Sequence, residues 1–368
     1  MRVAVTTVQV PFIRGGAELL AEGVVFALAR AGHSAEIVST PFRFAPAQEV
    51  SRCMKFWEDE DFEHFDCGPI DAVIALKFPT YWLRHSRKIV WLLHQHRAVY
   101  ELFDTPYGIS SSDAAHVALR TSIFEKDSRY LANAAALFSI SRKVSERLRS
   151  SNGLSAMPLY HPPPVPETFY CGDQMPYVYF PSRLESLKRQ DLLIRAMPHV
   201  RSPVVAILSG TGGGAEALHR LVDHLGVQDR VRLLGHVDDA AKASWYANSL
   251  GVFFGPFDED YGYVTLEAML SSKPVVTCQD SGGPLEFVVD GETGLVVEPT
   301  PDAVADAIDT LYSNLSHAAA MGRSGRAHYL ERGIGWDNVV ETLLRPSTAS
   351  ASESGRSGHA LSRAGRPR

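Results

Sequence analysis

A chain of 368 residues with 45% hydrophobic content is long enough to bury two packed cores. Its formal charge is −6, and because the last stretch, 346–368, carries four arginines and one glutamate, the remainder stands at −9, which argues against the phosphate-tracking surface of a nucleic-acid binder. The four cysteines (Cys53, Cys67, Cys171, Cys278) form no C-x-x-C pair and no apolar run approaches 18 residues, so a cytoplasmic protein with reduced thiols and no membrane span is expected.

In chain order, RVAVTTV (2–8) reads as a strand, RGG (14–16) as a loop, Ala17 to Ala31 as a helix stopped by Gly32, and SAEIVST (34–40) as the next strand. Such a unit opens an α/β domain. Gly15 and Gly16 would let backbone approach an anion closely, although a tight turn and cap accounts for them equally. Strands follow at 71–77 and 88–94, the second running into His94-Gln95-His96-Arg97. A histidine at a strand's carboxyl end can donate to a phosphate or a sugar hydroxyl; His94 and His96 together could instead bind metal, but no acidic or Cys partner is near in sequence. The mixture of cations and aromatics over 81–97 could touch an anionic membrane, or be a buried strand with a solvated turn.

Helical patterns around 114–135, a strand ALFSI and a Ser141-capped helix complete this half. LYHPPPVPE (159–167) cannot sustain helix or central strand, which places an interdomain linker at 161–169, between domains at 1–160 and 170–345. The Ser/Gly/Arg-rich tail, 346–368, is expected to be disordered.

Strands then recur at 177–181, 204–210, 230–235, 250–255, 274–278 and 293–298 with helical stretches between them, which predicts a second parallel, doubly wound α/β domain. Ligands of such sheets sit at the strands' carboxyl ends. Arg183 and Lys188 leave one strand end together and would suit a diphosphate, though such a pair is also common on a solvated surface. GTGGGA (210–215) fits G-x-G-x-x-A, but the next strand ends in Gly235-His236 where a nicotinamide enzyme needs an acid. In FDEDYGYVTLEAM (257–269), a continuous helix would hold Glu259 and Glu267 about 12 Å apart, too far for an acid/base dyad. More simply, Gly262 starts the helix, Glu259 stays in the loop and Glu267 falls in the second turn, with N–H groups around Gly262, Tyr263 and Val264 facing a phosphate. Residues 258–260 (DED) also satisfy a metal-binding D-x-D pattern of a different, single-domain transferase class.

Taken together, these residues resemble the retaining glycosyltransferases of GT-B architecture, specifically glycosyltransferase family 4. The resemblance runs to about residue 345 and rests on E-x7-E (Glu259, Glu267), GGPLEFVVDGETGLVVEP (282–299), GGAE (15–18), SRLESLK (182–188) and His94. It implies two doubly wound domains facing a central cleft. It also implies a nucleotide-sugar donor with no metal or other cofactor, and a glycan or lipid-linked glycan acceptor in polysaccharide or glycoconjugate assembly. Glu267 would bind the donor ribose, Arg183 and Lys188 the diphosphate, and Glu259 the sugar. Gly15, Gly16, Gly262, Tyr263 and Val264 would line the donor, and His94, or His96 in a shifted register, would flank the sugar. Arg189 stands where the family often has glycine, and GTGGG replaces the commoner G-x-G-P form. A GT-B-like nucleotide-sugar epimerase and a non-catalytic nucleotide-sugar binding protein are the alternatives, the latter disfavoured by the intact residue set.

Overall fold

Strands that are apolar on both faces need helices on both sides, and the alternation of short β-branched runs with amphipathic segments supplies them. The computed structural model describes residues 1–345, and the expected disordered tail lies outside the described residues. The first half contains β1 (Arg2–Gln9), α1 (Gly16–Arg30), β2 (Ser34–Pro41), α2 (Ala47–Asp59), a small antiparallel ribbon of β3 (His64–Phe65) and β4 (Gly68–Pro69), β5 (Ala72–Ala75), β6 (Lys88–Leu92), α3 (Ala114–Ala132), β7 (Ala136–Ser139), α4 (Arg142–Asn152) and β8 (Met157–Pro158). Its parallel sheet is ordered β2-β1-β5-β6-β7-β8.

The second half contains β9 (Met175–Pro181), α5 (Gln190–Ala196), β10 (Val205–Ser209), α6 (Ala215–Leu225), β11 (Val231–Leu233), α7 (Asp239–Asn248), β12 (Ser249–Phe253), α8 (Tyr263–Leu270), β13 (Val275–Cys278), β14 (Gly294–Val297), α9 (Pro301–Ser313), α10 (Leu315–Glu331) and α11 (Trp336–Leu344). Its sheet, also parallel, is ordered β11-β10-β9-β12-β13-β14. Both domains are therefore doubly wound, the GT-B architecture that the sequence implies. Strand order reverses between β1 and β5 in one sheet and between β9 and β12 in the other, and each reversal opens a crevice at the strands' carboxyl ends.

Packing decides between the two readings of 81–97 and adds a contact between the domains. The stretch 81–97 is largely a core segment: Tyr81, Trp82 and Trp91 are fully buried, and Lys88 donates to the carbonyls of Tyr81 and Leu83 at 2.8 and 3.2 Å, so those aromatics offer no membrane surface. The end of the 170–345 segment also returns to the first domain. Helix α11 packs on α1, where the Trp336 ring covers Gly23 so closely that a Cβ there would fall 2.3 Å from it, and Arg87 donates to the Leu344 carbonyl at 2.7 Å. An amphipathic pattern says that a face is buried but not by which domain.

Candidate active site

The crevices of the two sheets face one another, and between them lies a cavity of about 510 Å³. Gly15, Gly16 and His94 line it from the first domain; Arg183, Lys188, Glu259, Gly262, Tyr263 and Val264 line it from the second. Two helix amino termini meet at this point. Helix α1 begins at Gly16, with the Gly15 N–H donating to Glu18 Oε2 at 2.8 Å, and α8 begins at Tyr263 after Gly262, whose φ of +90° is accessible to glycine and strained for any other residue. The first N–H groups of each helix have no intrahelical acceptor, and both macrodipoles present their positive ends to the cavity. A Cβ on Gly16 would lie 3.5 Å from the Tyr263 ring and one on Gly15 would lie 3.4 Å from Arg183 Nε, so the two domains come within van der Waals contact at this helix start.

Arg183 is half exposed and pairs with Glu185 at 2.9 Å. Its loop is braced from below by the glycine-rich segment: Leu184 N–H donates to Thr211 O at 3.0 Å, Gly214 N–H donates to Leu184 O at 2.9 Å, and a Cβ on Gly212 would be 2.5 Å from Leu184 O. Gly210, Gly212 and Gly214 of GTGGGA thus serve close packing beneath Arg183, and the segment does not line the cavity. Lys188 donates to Glu259 Oε2, both side chains being less than one-fifth exposed. Arg189 occupies the left-handed region at φ +56°, as the family's glycine would; a two-pronged pair with Asp280 at 2.8 and 2.6 Å and stacking on Phe257 hold it there.

His94 Nδ1 lies 2.6 Å from the Gln95 carbonyl, which can only accept, so Nδ1 carries the proton and Nε2 presents a lone pair. Burial, with Lys77 and Arg97 nearby, pushes this imidazole down to about 4 against the opposing pull of Asp260. With Nδ1 committed to the carbonyl and the ring neutral, Nε2 is left as a hydrogen-bond acceptor. His96 does not line the cavity. It is buried against Phe42, Phe44 and Phe78, stacked on the last at 5.0 Å, and burial lowers it to about 3, so packing accounts for it.

Glu267 falls in the second turn of α8, as expected, but turns towards α7, where it accepts from Tyr246 Oη at 2.6 Å and Lys242 Nζ at 3.2 Å; it is buried and off the cavity lining. The DED carboxylates are engaged by cations of the first domain. Asp258 pairs with Arg147 at 2.9 Å and Lys143 at 3.0 Å, and Asp260 with Arg147 and, at 3.6 Å, Arg97. Burial raises both aspartates, but these cations outweigh it and hold Asp258 below, and Asp260 well below, the usual carboxylate range. The pattern therefore reads as an ionic joint between domains. Among the residues that line the cavity, sequence reasoning passed over Lys77 and His161 and met Asp260 only as part of the D-x-D pattern. Lys77 stands at a strand's carboxyl end and was legible by the rule that found His94. His161 sits in the linker, accepts or donates at 3.1 Å with Tyr263 Oη and stacks on Tyr261, contacts that no local pattern announces.

Two doubly wound domains whose helix amino termini, cations and neutral histidine converge on one interdomain cavity define a GT-B glycosyltransferase. The chain belongs to the group 1 glycosyl transferases: the model of that family matches residues 172–328. The chain is 31% identical over 325 residues to the GDP-mannose-dependent alpha-(1-6)-phosphatidylinositol monomannoside mannosyltransferase of Mycolicibacterium smegmatis, covering 81% of this chain and 80% of that protein. It is also 33% identical over 178 residues to the D-inositol 3-phosphate glycosyltransferase of Kribbella flavida, a match spanning 45% of this chain and 41% of that one. In fold it is similar to the sucrose-phosphate synthase of Thermosynechococcus elongatus (TM-score 0.73, 18% identity, 93% and 97% of the two chains). Anabaena HepE in complex with UDP and glucose is a second such neighbour (TM-score 0.65, 18% identity, 93% and 99%).

Proposed function

We propose that this glycosyltransferase moves a hexose from a UDP- or GDP-linked sugar, with retention and without a metal, to a glycan or lipid-linked glycan acceptor in cell-surface polysaccharide or glycoconjugate assembly. The observation that carries the reading is the convergence of α1, α8, Arg183, Lys188 and neutral His94 on one cavity. As the sugar–phosphate bond breaks, negative charge grows on the departing diphosphate, and fixed N–H groups and cations stabilise it more in the transition state than before. Lys188 serves the phosphate. Glu259 has lone pairs beyond the one given to Lys188 and accepts from sugar hydroxyls, as does His94 Nε2 on the other side. Glu267 lies off the cavity lining, and we keep it for the ribose hydroxyls on the family resemblance: Tyr246 and Lys242 fix its carboxylate and leave it further lone pairs to accept with.

The metal-free mechanism is supported by the engagement of Asp258 and Asp260 with Arg97, Arg147 and Lys143. Membership of a transferase family supports transfer over the epimerase and binding-protein alternatives. The relative that covers most of the chain is GDP-mannose-dependent by name, which makes GDP-mannose the first donor to test, and the structural likeness to a UDP complex keeps UDP-glucose in the set. No helix among the described residues is long and apolar enough to cross a membrane. We place the meeting with a lipid-linked acceptor at the inner membrane face, by peripheral contact.

A thermal-shift screen of UDP, GDP, ADP and their sugars tests the reading, since a ligand at 100 times its Kd adds about 2.7 kcal/mol. Stabilisation by one nucleotide and its sugar is expected. No shift with any of them at millimolar concentration contradicts it.

A further inference from the structure

Among the described residues, one cation on the cavity wall, the Lys77 ammonium, makes no hydrogen bond or ion pair. Lys77 follows β5, where the first sheet reverses its strand order. Its backbone is fixed: Leu76 N–H donates to Thr6 O at 3.0 Å, Leu93 N–H donates to Leu76 O at 2.9 Å, and Thr80 donates to the Lys77 carbonyl from N and Oγ1 at 2.9 and 2.8 Å. The side chain lines the cavity with His94 and Arg183. Among the described residues nothing hydrogen-bonds or ion-pairs with its ammonium. Glu18, committed to the Gly15 N–H, acts on it only at longer range, and Arg183 acts on it with like charge. By contrast, the buried lysines are provided for: Lys88 by two carbonyls and Lys273 by the carbonyls of Gly172 and Asp173 at 3.4 and 2.8 Å, whereas Lys77 is partly exposed to the cavity. Burial lowers the Lys77 pKa, with the like charge of Arg183 acting in the same direction.

We propose that Lys77 is a third cation for the donor's diphosphate, supplied by the first domain, so that the departing phosphate is held from both sides of the cleft. Two like charges that act on each other across a cleft are favoured where one anion lies between them, and Arg183 already serves the diphosphate in the function proposed above, on which this inference rests. In the transfer, the bond between the anomeric carbon and the phosphate oxygen breaks with its electron pair remaining on that oxygen. The acceptor oxygen bonds to the carbon, and the acceptor's proton passes to the departing diphosphate. Lys77 stays protonated throughout and stabilises the charge that accumulates.

The test is calorimetric titration of wild type, Lys77→Met, Lys77→Arg and Arg183→Met with GDP and UDP, and with the corresponding nucleosides. Lys77→Met is expected to weaken the bound nucleoside diphosphate about tenfold or more, with Lys77→Arg within about threefold of wild type. Nucleoside affinity should be unchanged and the melting temperature of Lys77→Met equal to or above that of wild type. Lys77→Met within about twofold of wild type, while Arg183→Met loses tenfold or more, overturns the Lys77 assignment alone. Equal weakening of nucleoside and diphosphate, or a lowered melting temperature, marks a structural lysine and overturns it too. Absence of nucleotide binding by wild type overturns the function reading together with this inference.

Discussion

Replacing Arg147 with Met cuts the ionic joint between the domains. Arg147, on α4, donates to the Asp258 carbonyl at 2.8 Å, pairs with its carboxylate at 2.9 Å and with Glu101 at 3.3 Å, and bonds Asp260; its side chain is 13% exposed. Removing it leaves Asp260, equally buried, with Arg97 at 3.6 Å as its remaining cation. Breaking a buried pair from one side costs about 3–5 kcal/mol, because a charge stays behind without its partner. Unfolding entropy of about 2.1 cal/mol/K per residue over the described chain converts this to a loss of roughly 4–7 °C in Tm. Scanning calorimetry of Arg147→Met, Asp260→Asn and the double variant is the assay. The double variant should be less destabilised than the sum of the singles by about 2 kcal/mol, since Asn carries no charge to strand. A shift below about 1 °C in Arg147→Met, or additive singles, refutes the joint.

Three further outcomes follow from particular residues. Because Arg189 sits at φ +56°, Arg189→Ala keeps the strain and loses the Asp280 pair, whereas Arg189→Gly loses the pair and relieves the strain; denaturant melts should place the glycine variant about 1 kcal/mol above the alanine one, and the reverse order contradicts the account. His94, His96 and His161 are pushed down to about 4, 3 and 3 from 6.5, so the unfolded chain binds protons that the fold refuses. Stability is complete above pH 6.5 and falls towards pH 3 by up to about 1.4 kcal/mol per pH unit per histidine, and His96→Phe should reduce the slope measured by calorimetry by one proton. Glu267→Gln should weaken nucleoside diphosphate binding by about ten- to a hundredfold, while Glu259→Gln leaves it within about threefold yet lowers sugar transfer more than tenfold; equal effects in titration and initial-rate kinetics refute the division of labour.

Much of this was legible because strand ends are legible. The run 88–94 announces a strand and hence places His94 at its end, and Gly262 after 250–255 announces a helix start, so one cavity-lining position from each domain could be found without coordinates. What the sequence leaves open depends on contacts across long separations. The choice between His94 and His96 turns on Phe42 and Phe78, which enclose only the second. The role of DED is decided by Arg97 and Arg147, more than a hundred residues earlier in the chain. The domain that receives α11 depends on a glycine in α1.

The central claim is that this cavity cleaves a nucleotide sugar with cations in place of a metal. It is tested by the rate of nucleoside diphosphate release from whichever nucleotide sugar most raises the melting temperature, with wild type and Arg183→Met/Lys188→Met, in chelator and in Mn²⁺. Equal wild-type rates in both conditions are expected, with a loss of about a hundredfold or more in the double variant. Turnover that disappears in chelator, or that survives in the double variant, contradicts the account.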